Sequence, residues 1–213
     1  MSFTNRVVSF LALFAAIAAA HAEAPVAVQS GLSSPHAAVI RHMAWDREAG
    51  APAVTWVGAG QASDVSVVPA GVAVARRSAG EDLKVVYVVS RDANGFNVLV
   101  VSQRTLTERR EPVEQVLAWH ERARRWMLDN PTETARVVAQ GAGIPTEHAA
   151  AALSGQEFYV ARPGPALAQA LKAGGADATL VGVLIDDAPM RAAVRRVEHA
   201  RPAQVQVPVA ALR

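Results

Sequence analysis

The chain has 213 residues, a formal charge of +2, 51% hydrophobic residues and no cysteine. The missing cysteine excludes disulfides, thiol chemistry and Cys-ligated metals. The small excess of positive charge gives a nucleic-acid role no support, and the apolar content is that of a globular chain rather than a disordered one.

The N-terminus reads as an export signal. Arg6 supplies the positive start, residues 7–20 carry no charge, and Ala20-His21-Ala22 places small residues where a signal peptidase reads them. The apolar run of about 14 residues is shorter than the roughly 20 that a membrane-spanning helix needs. The sequence therefore predicts cleavage after Ala22 and a periplasmic protein beginning at Glu23. No stable membrane insertion is expected after cleavage, because no later stretch is apolar enough to span a bilayer.

The mature chain predicts a short strand over residues 26–29, turn chemistry at 30–34, and a helix opened by Pro35 that ends near Gly50. Residues 54–57 and 64–68 read as strands, separated by Gly58-Ala59-Gly60. A helix is expected over 69–78. Residues 84–90 (KVVYVVS) form the clearest strand, its continuous apolar run suggesting cover on both faces. A further strand over 97–102 follows the Asn94-Gly95 turn, and the spacing allows either a hairpin or a crossing between lobes.

Helix then dominates. Residues 111–129 place Val113, Val116, Leu117, His120, Ala123 and Met127 on one side, widened by Trp119 and Trp126. Asn130-Pro131 ends that helix. Further helices are expected over 132–140, 146–153, 163–173 and 188–198, with residues 180–185 as a short strand or loop. The fold class is α/β. The organisation is a signal peptide (1–22), an α/β ligand-binding lobe (23–104), a helical C-terminal region (105–200) and an extended tail (201–213).

Candidate chemistry centres on residues 30–36, SGLSSPH. A helix N-terminus offers unpaired backbone N–H groups and about half a positive charge. Gly31 permits close backbone approach, Ser33 and Ser34 add hydroxyls, and such a loop can hold an anion without a charged side chain. The alternative is that Ser34 merely caps its helix. His36 can add a contact from the first turn, and Asn97 is a candidate on the opposite wall. The lone GxG at Gly58-Ala59-Gly60 lacks the remaining dinucleotide-binding glycine, since Ser63 occupies that position, and reads as a turn. No histidine falls in a compact metal spacing and no serine sits in a nucleophile elbow. The sequence thus predicts no catalytic residue, no metal and no cofactor. Arg109, Arg110, Arg124 and Arg125 are expected on a solvated surface, and the Asp186-Asp187 pair is expected to be solvated too.

Residues 112–153 resemble the C-terminal helical region of periplasmic substrate-binding proteins from nitrate/sulfonate/taurine-type ABC transporters. A long helix in that family ends in a W-x-x-x-N-P-x-x-x-A pattern, matched here by Trp126, Asn130, Pro131 and Ala135. A G-[IL]-P turn is matched by Gly143-Ile144-Pro145, and a following aromatic by Phe158 and Tyr159. Residues 30–36 resemble the second-lobe loop of the family, which touches the ligand. The resemblance implies periplasmic-binding-protein-like lobes, a small-molecule anion as ligand and an ABC transporter permease as partner. The chain is shorter than complete two-lobed members. That leaves a second reading, a degenerate binding domain used as a periplasmic interaction or sensory module, and a third, a small periplasmic enzyme, which the lack of an acid/base or metal set disfavours.

Overall fold

The computed structural model describes residues 24–29, 34–58, 60–158 and 161–199. The signal peptide, Gly31, Ser33, Tyr159 and the tail over 201–213 lie outside the described residues.

Five strands form one sheet: β1 (Val26–Gln29), β2 (Val54–Val57), β3 (Val65–Pro69), β4 (Leu83–Asp92) and β5 (Gly95–Ser102), in the order β2-β1-β3-β5-β4. β1 pairs parallel with β2 and β3, while β5 pairs antiparallel with both β3 and β4. Strands β1 to β4 therefore share one direction and β5 opposes them. The sequence left open whether the last two strands form a hairpin or cross between lobes. They form a hairpin, with Asp92 opposite Gly95. The Asp92 carboxylate accepts the Asn94 N–H, and Gly95 takes φ +117°, a conformation that costs a residue without Cβ little.

Helices cover both faces. On one side lie α1 (Pro35–His42), α4 (Arg110–Asp129) and α9 (Ala188–His199). Their apolar stripes meet Val26, Val28, Val65, Leu99 and Val101 of the sheet in the larger core. On the other side α2 (Ala70–Ser78), α7 (Pro165–Ala173) and α8 (Ala178–Leu184) cover Leu83, Val85, Val88, Val98 and Val100. The remaining helices are α3 (Gln103–Glu108), α5 (Pro131–Ala142) and α6 (Thr146–Ser154). Residues 105–199 thus do not form a layer apart from the sheet: α4 and α9 complete its core.

The α4 stripe is as the 3.6-residue period predicts. Val113, Val116, Leu117, His120, Ala123 and Met127 are all buried. Trp119 is buried to 2% exposure, whereas Trp126 is only half-buried, at the margin of the core.

Two features of β4 shape the site. Bulges at Val86 and Val89 interrupt its pairing with β5. A bulge adds a residue and re-aims the side chains after it. Val86, Tyr87 and Val89 all face the α1/α4 side as a result, while Val85 and Val88 face the other. The outer edge of β4 is also covered. Val88 N–H donates to the Ala161 carbonyl at 2.9 Å, Asp186 N–H to Val85, and Arg91 exchanges two backbone bonds with Glu157. An edge paired in this way offers no template for another chain.

Residues 180–185 were expected as strand or loop and are mostly helical. Asp177 caps α8 by accepting the N–H groups of Thr179 and Leu180, and Val181 and Leu184, three apart, turn to the core. Only Ile185 keeps a bridge to Val85. Short apolar runs carry no decisive period, so the cap decides.

Candidate functional site at the carboxyl edge

In an open α/β sheet, ligands bind outside the carboxyl ends of the strands, where successive connections leave for opposite faces. Here β1 leads to α1 on one face and β3 leads to α2 on the other. The switch point lies between neighbouring β1 and β3. The chain leaving β1 there is the serine-rich stretch, residues 30–34.

Ser34 is the N-cap of α1, and its Oγ accepts the Ala37 N–H at a long 3.5 Å. The capping alternative raised from the sequence is thus realised in Ser34. Asn97 also stands at this edge, opposite Ser90 on β4 and Pro69 on β3. Its amide donates to Ser90 Oγ and Asp92 Oδ2, both at 3.2 Å. Among the described residues there is one sheet, and Asn97 and the carboxyl end of β1 belong to the same edge of it.

His36, a candidate to add a contact from the first helical turn, is wholly buried. Its ring stacks on His120 at 5.7 Å and 22°, and meets Tyr87 edge-on at 6.1 Å and Phe158 at 5.7 Å. Among the described residues, neither His36 nitrogen nor Trp119 Nε1 has a hydrogen-bond partner. His120 contacts the Val116 carbonyl through Nδ1 at 2.9 Å. Burial holds the His36 ring well below the usual imidazole range, helped by His120 and Arg124. Burial likewise lowers His120, to about 4, against the opposing Val116 bond. Both rings are therefore neutral near pH 7. Burial, then Glu121, pushes the Tyr87 phenol well above its ordinary range.

Beside this cluster Glu121 is 2% exposed. It accepts Nε and Nη2 of Arg124 and Nε of Arg125, each at 2.7 Å. Burial alone would raise its carboxyl, but the bonds from Arg124 and Arg125 outweigh it and hold Glu121 below the ordinary range. The expectation of four solvated arginines is corrected for two of them. Arg124 has 15% and Arg109 17% of its side chain exposed. Arg109 binds Asp64 at 3.3 Å and the carbonyls of Ala24 and Pro25, fastening the residues just before β1 to the start of α4. The Asp186-Asp187 pair serves α9: Asp186 accepts the Ala188 N–H at 3.0 Å and Asp187 pairs with Arg191 at 2.5 Å.

The sequence placed His120 on the apolar face of its helix but could not bring His36 and Tyr87 to it. That meeting depends on the β4 bulge. Glu121 carried a signal that was passed over: it lies four residues after Leu117 on the apolar stripe, with arginines three and four residues on. Among the described residues no three His, Cys, Asp or Glu side chains gather as a metal-binding group. The arrangement offers polar contacts at the sheet edge, from Ser34 and from the Asn97 amide.

No protein-family model matches the chain, and no curated protein matches it either. Solved structures do. The alkanesulfonate-binding protein SsuA from Xanthomonas axonopodis pv. citri, bound to MOPS, superposes with a TM-score of 0.61 at 10% identity, covering 78% of this chain and 99% of that one. A ligand-binding component of an ABC-type import system from Staphylococcus aureus, with zinc bound, gives 0.64 at 5% identity over 79% and 98%. The periplasmic aliphatic sulphonate-binding protein SsuA from Escherichia coli gives 0.57 at 11% over 79% and 91%. The Candida albicans CA3427 gene product, described as having the generic periplasmic binding protein fold, gives 0.56 at 10% over 78% and 97%. The fold of this chain is that of the periplasmic binding proteins.

Proposed function

We propose that this chain is the periplasmic solute-binding component of an ABC importer, holding a small anionic or sulfonate-like solute without catalysis. One observation supports the reading: in a chain with the periplasmic-binding-protein fold, β1, which the serine-rich sequence follows, neighbours β3 at the topological switch point of the sheet. In this reading Gly31, Ser33 and Ser34 meet the solute's charged group at the start of α1, and Asn97 contributes from the neighbouring strand end. His36 acts beneath them. The export signal at residues 1–22 would deliver the protein to the periplasm, and the permease of the importer would be its partner.

A thermal-shift screen of the mature protein against sulfonates, nitrate, taurine and pyrimidine-like compounds tests the reading. A ligand at 100 times its Kd adds about 2.7 kcal/mol to stability. Replacing Ser33 and Ser34 together by alanine should weaken binding of any hit by about two orders of magnitude, since hydrogen bonds to a charged group are worth roughly 1.5–3 kcal/mol each. Unchanged affinity would remove this stretch from the site. A second reading is a binding domain turned to interaction or sensing. It is favoured by the single sheet of the described residues, which supplies only one wall to a ligand. A permease and an ATPase encoded beside this chain would favour import.

A further inference from the structure

A cleft of about 420 Å³ opens between the second half of α4, α9 and the segment that covers β4, and no described residue of the stretch leaving β1 lines it. Its floor is apolar: Ala161, Met190 and Val194 are all buried. Its walls carry Arg124, Arg125 and Arg162 against only two carboxylates, Glu121 and Glu198. The two carboxylates are already engaged. Glu121 takes three N–H bonds, and Glu198 lies 3.8 Å from Arg125. Arg162 is exposed and pairs with no described residue. The cleft thus combines an apolar floor, two guanidinium groups oriented by a buried carboxylate and one exposed positive charge that no described residue neutralises.

We propose that this cleft is a second binding site, for a small organic monoanion with an apolar body. The anion's oxygens meet Arg162 and the outward edges of Arg124 and Arg125, while its apolar part lies over Met190 and Val194. The charge count fits one negative charge and no more. A guanidinium fork suits carboxylate and sulfonate alike, and Glu121 orients two of the three forks before a ligand arrives. Buried behind the wall, the Tyr87 phenol feels both Glu121 and Arg124, and its ring meets those of His36 and His120. The site would therefore adjoin the histidine cluster under α1. The proposal does not depend on the solute-binding role of the serine stretch.

The test is titration calorimetry of the mature protein with benzoate and benzenesulfonate, at low and at physiological salt. Three proteins are compared: the parent, Arg162→Ala, and Ser33→Ala/Ser34→Ala. Arg162 pairs with no described residue and is exposed, so its removal should leave the melting temperature of the unliganded protein unchanged. We expect the parent to bind a probe, more tightly at low salt. Arg162→Ala should bind it about tenfold or more weakly, the loss expected of one charge-assisted hydrogen bond, and the double serine variant should bind as the parent does. Three results would overturn the proposal: no heat from either probe at millimolar concentration, equal affinity in Arg162→Ala, or loss of binding only in the serine variant. The last would place the probe at the strand edge instead.

Discussion

At the scale of single residues, the energetic weight falls on side chains that combine burial with a fixed partner. Glu121 is the sharpest case. With 2% of it exposed, it is the shared acceptor of Arg124 and Arg125. Truncating one member of a buried ion pair costs more than the pair contributes, because the partner is left charged and unsatisfied. Arg124 and Arg125 keep some access to water, so Glu121→Ala should destabilise the fold by about 2–4 kcal/mol, somewhat below the range for fully buried pairs. Urea unfolding of the two proteins measures this, and a change under 1 kcal/mol would mean that the arginines find water without loss. Trp119 and Trp126 make a second comparison. Both were legible as core from their spacing, but only Trp119 is fully enclosed. Trp119→Ala should cost about 3–5 kcal/mol, as large aromatic truncations in cores do. Trp126→Ala should cost clearly less, because that ring is only half-buried at the margin of the core. Equal losses for the two would contradict the burial difference.

Among elements, legibility followed the length of the periodic signal. The long helix α4 and the strands β1, β2 and β4 could be placed within a few residues, because each carries a repeated apolar pattern or a run bounded by turn residues. The elements that escaped are short. Helix α8 hid in an apolar run whose period was too brief to separate helix from strand, and α3 was not anticipated at all. α3 depends on Ser102, whose Oγ accepts the Thr105 N–H at 3.0 Å directly after β5 ends. Ser102→Ala should therefore cost about 1 kcal/mol, the usual price of a lost helix cap. The loss should show as faster amide exchange in residues 103–108, while β5 exchanges as before. If α3 remains as protected as in the parent, its packing rather than its cap holds it. The site itself was only partly legible. Residues 30–36 announce a strand-to-helix turn, but nothing local states that β1 lies at the switch point of the sheet. Nor can a sequence reveal that the bulge at Val86 turns Tyr87 toward His36. Both facts come from strand pairing between residues far apart in the chain.

On the scale of the whole molecule, the core contains two histidines from different elements, stacked and uncharged. This ties global stability to pH. His36 comes from α1, His120 from α4, and between sheet and helices they face Tyr87, Phe158 and, further out, Glu121 and Arg124. In the unfolded chain both imidazoles titrate near 6.5. In the folded chain His120 titrates near 4 and His36 well below its ordinary value. The unfolded state therefore binds more protons than the folded one as pH falls below 6.5, so stability must drop with acidification. The contribution is fully present above about pH 7 and is lost progressively between 6.5 and 4. From His120 alone the loss by pH 4.5 amounts to about 2–3 kcal/mol, taking 1.36 kcal/mol for each pH unit between the two values. Glu121 cannot mimic this. Its pKa is lowered by Arg124 and Arg125, so its own contribution fades only below the ordinary carboxylate range. The check is the unfolding free energy at pH 7.5, 6.0 and 5.0 for the parent and for His36→Phe/His120→Leu. The double variant starts from a different stability, but its slope across this window should be nearly flat while the parent's falls. Parallel slopes would show that the histidines are hydrated or paired in the fold, and that the neutral stacked cluster does not govern the pH response.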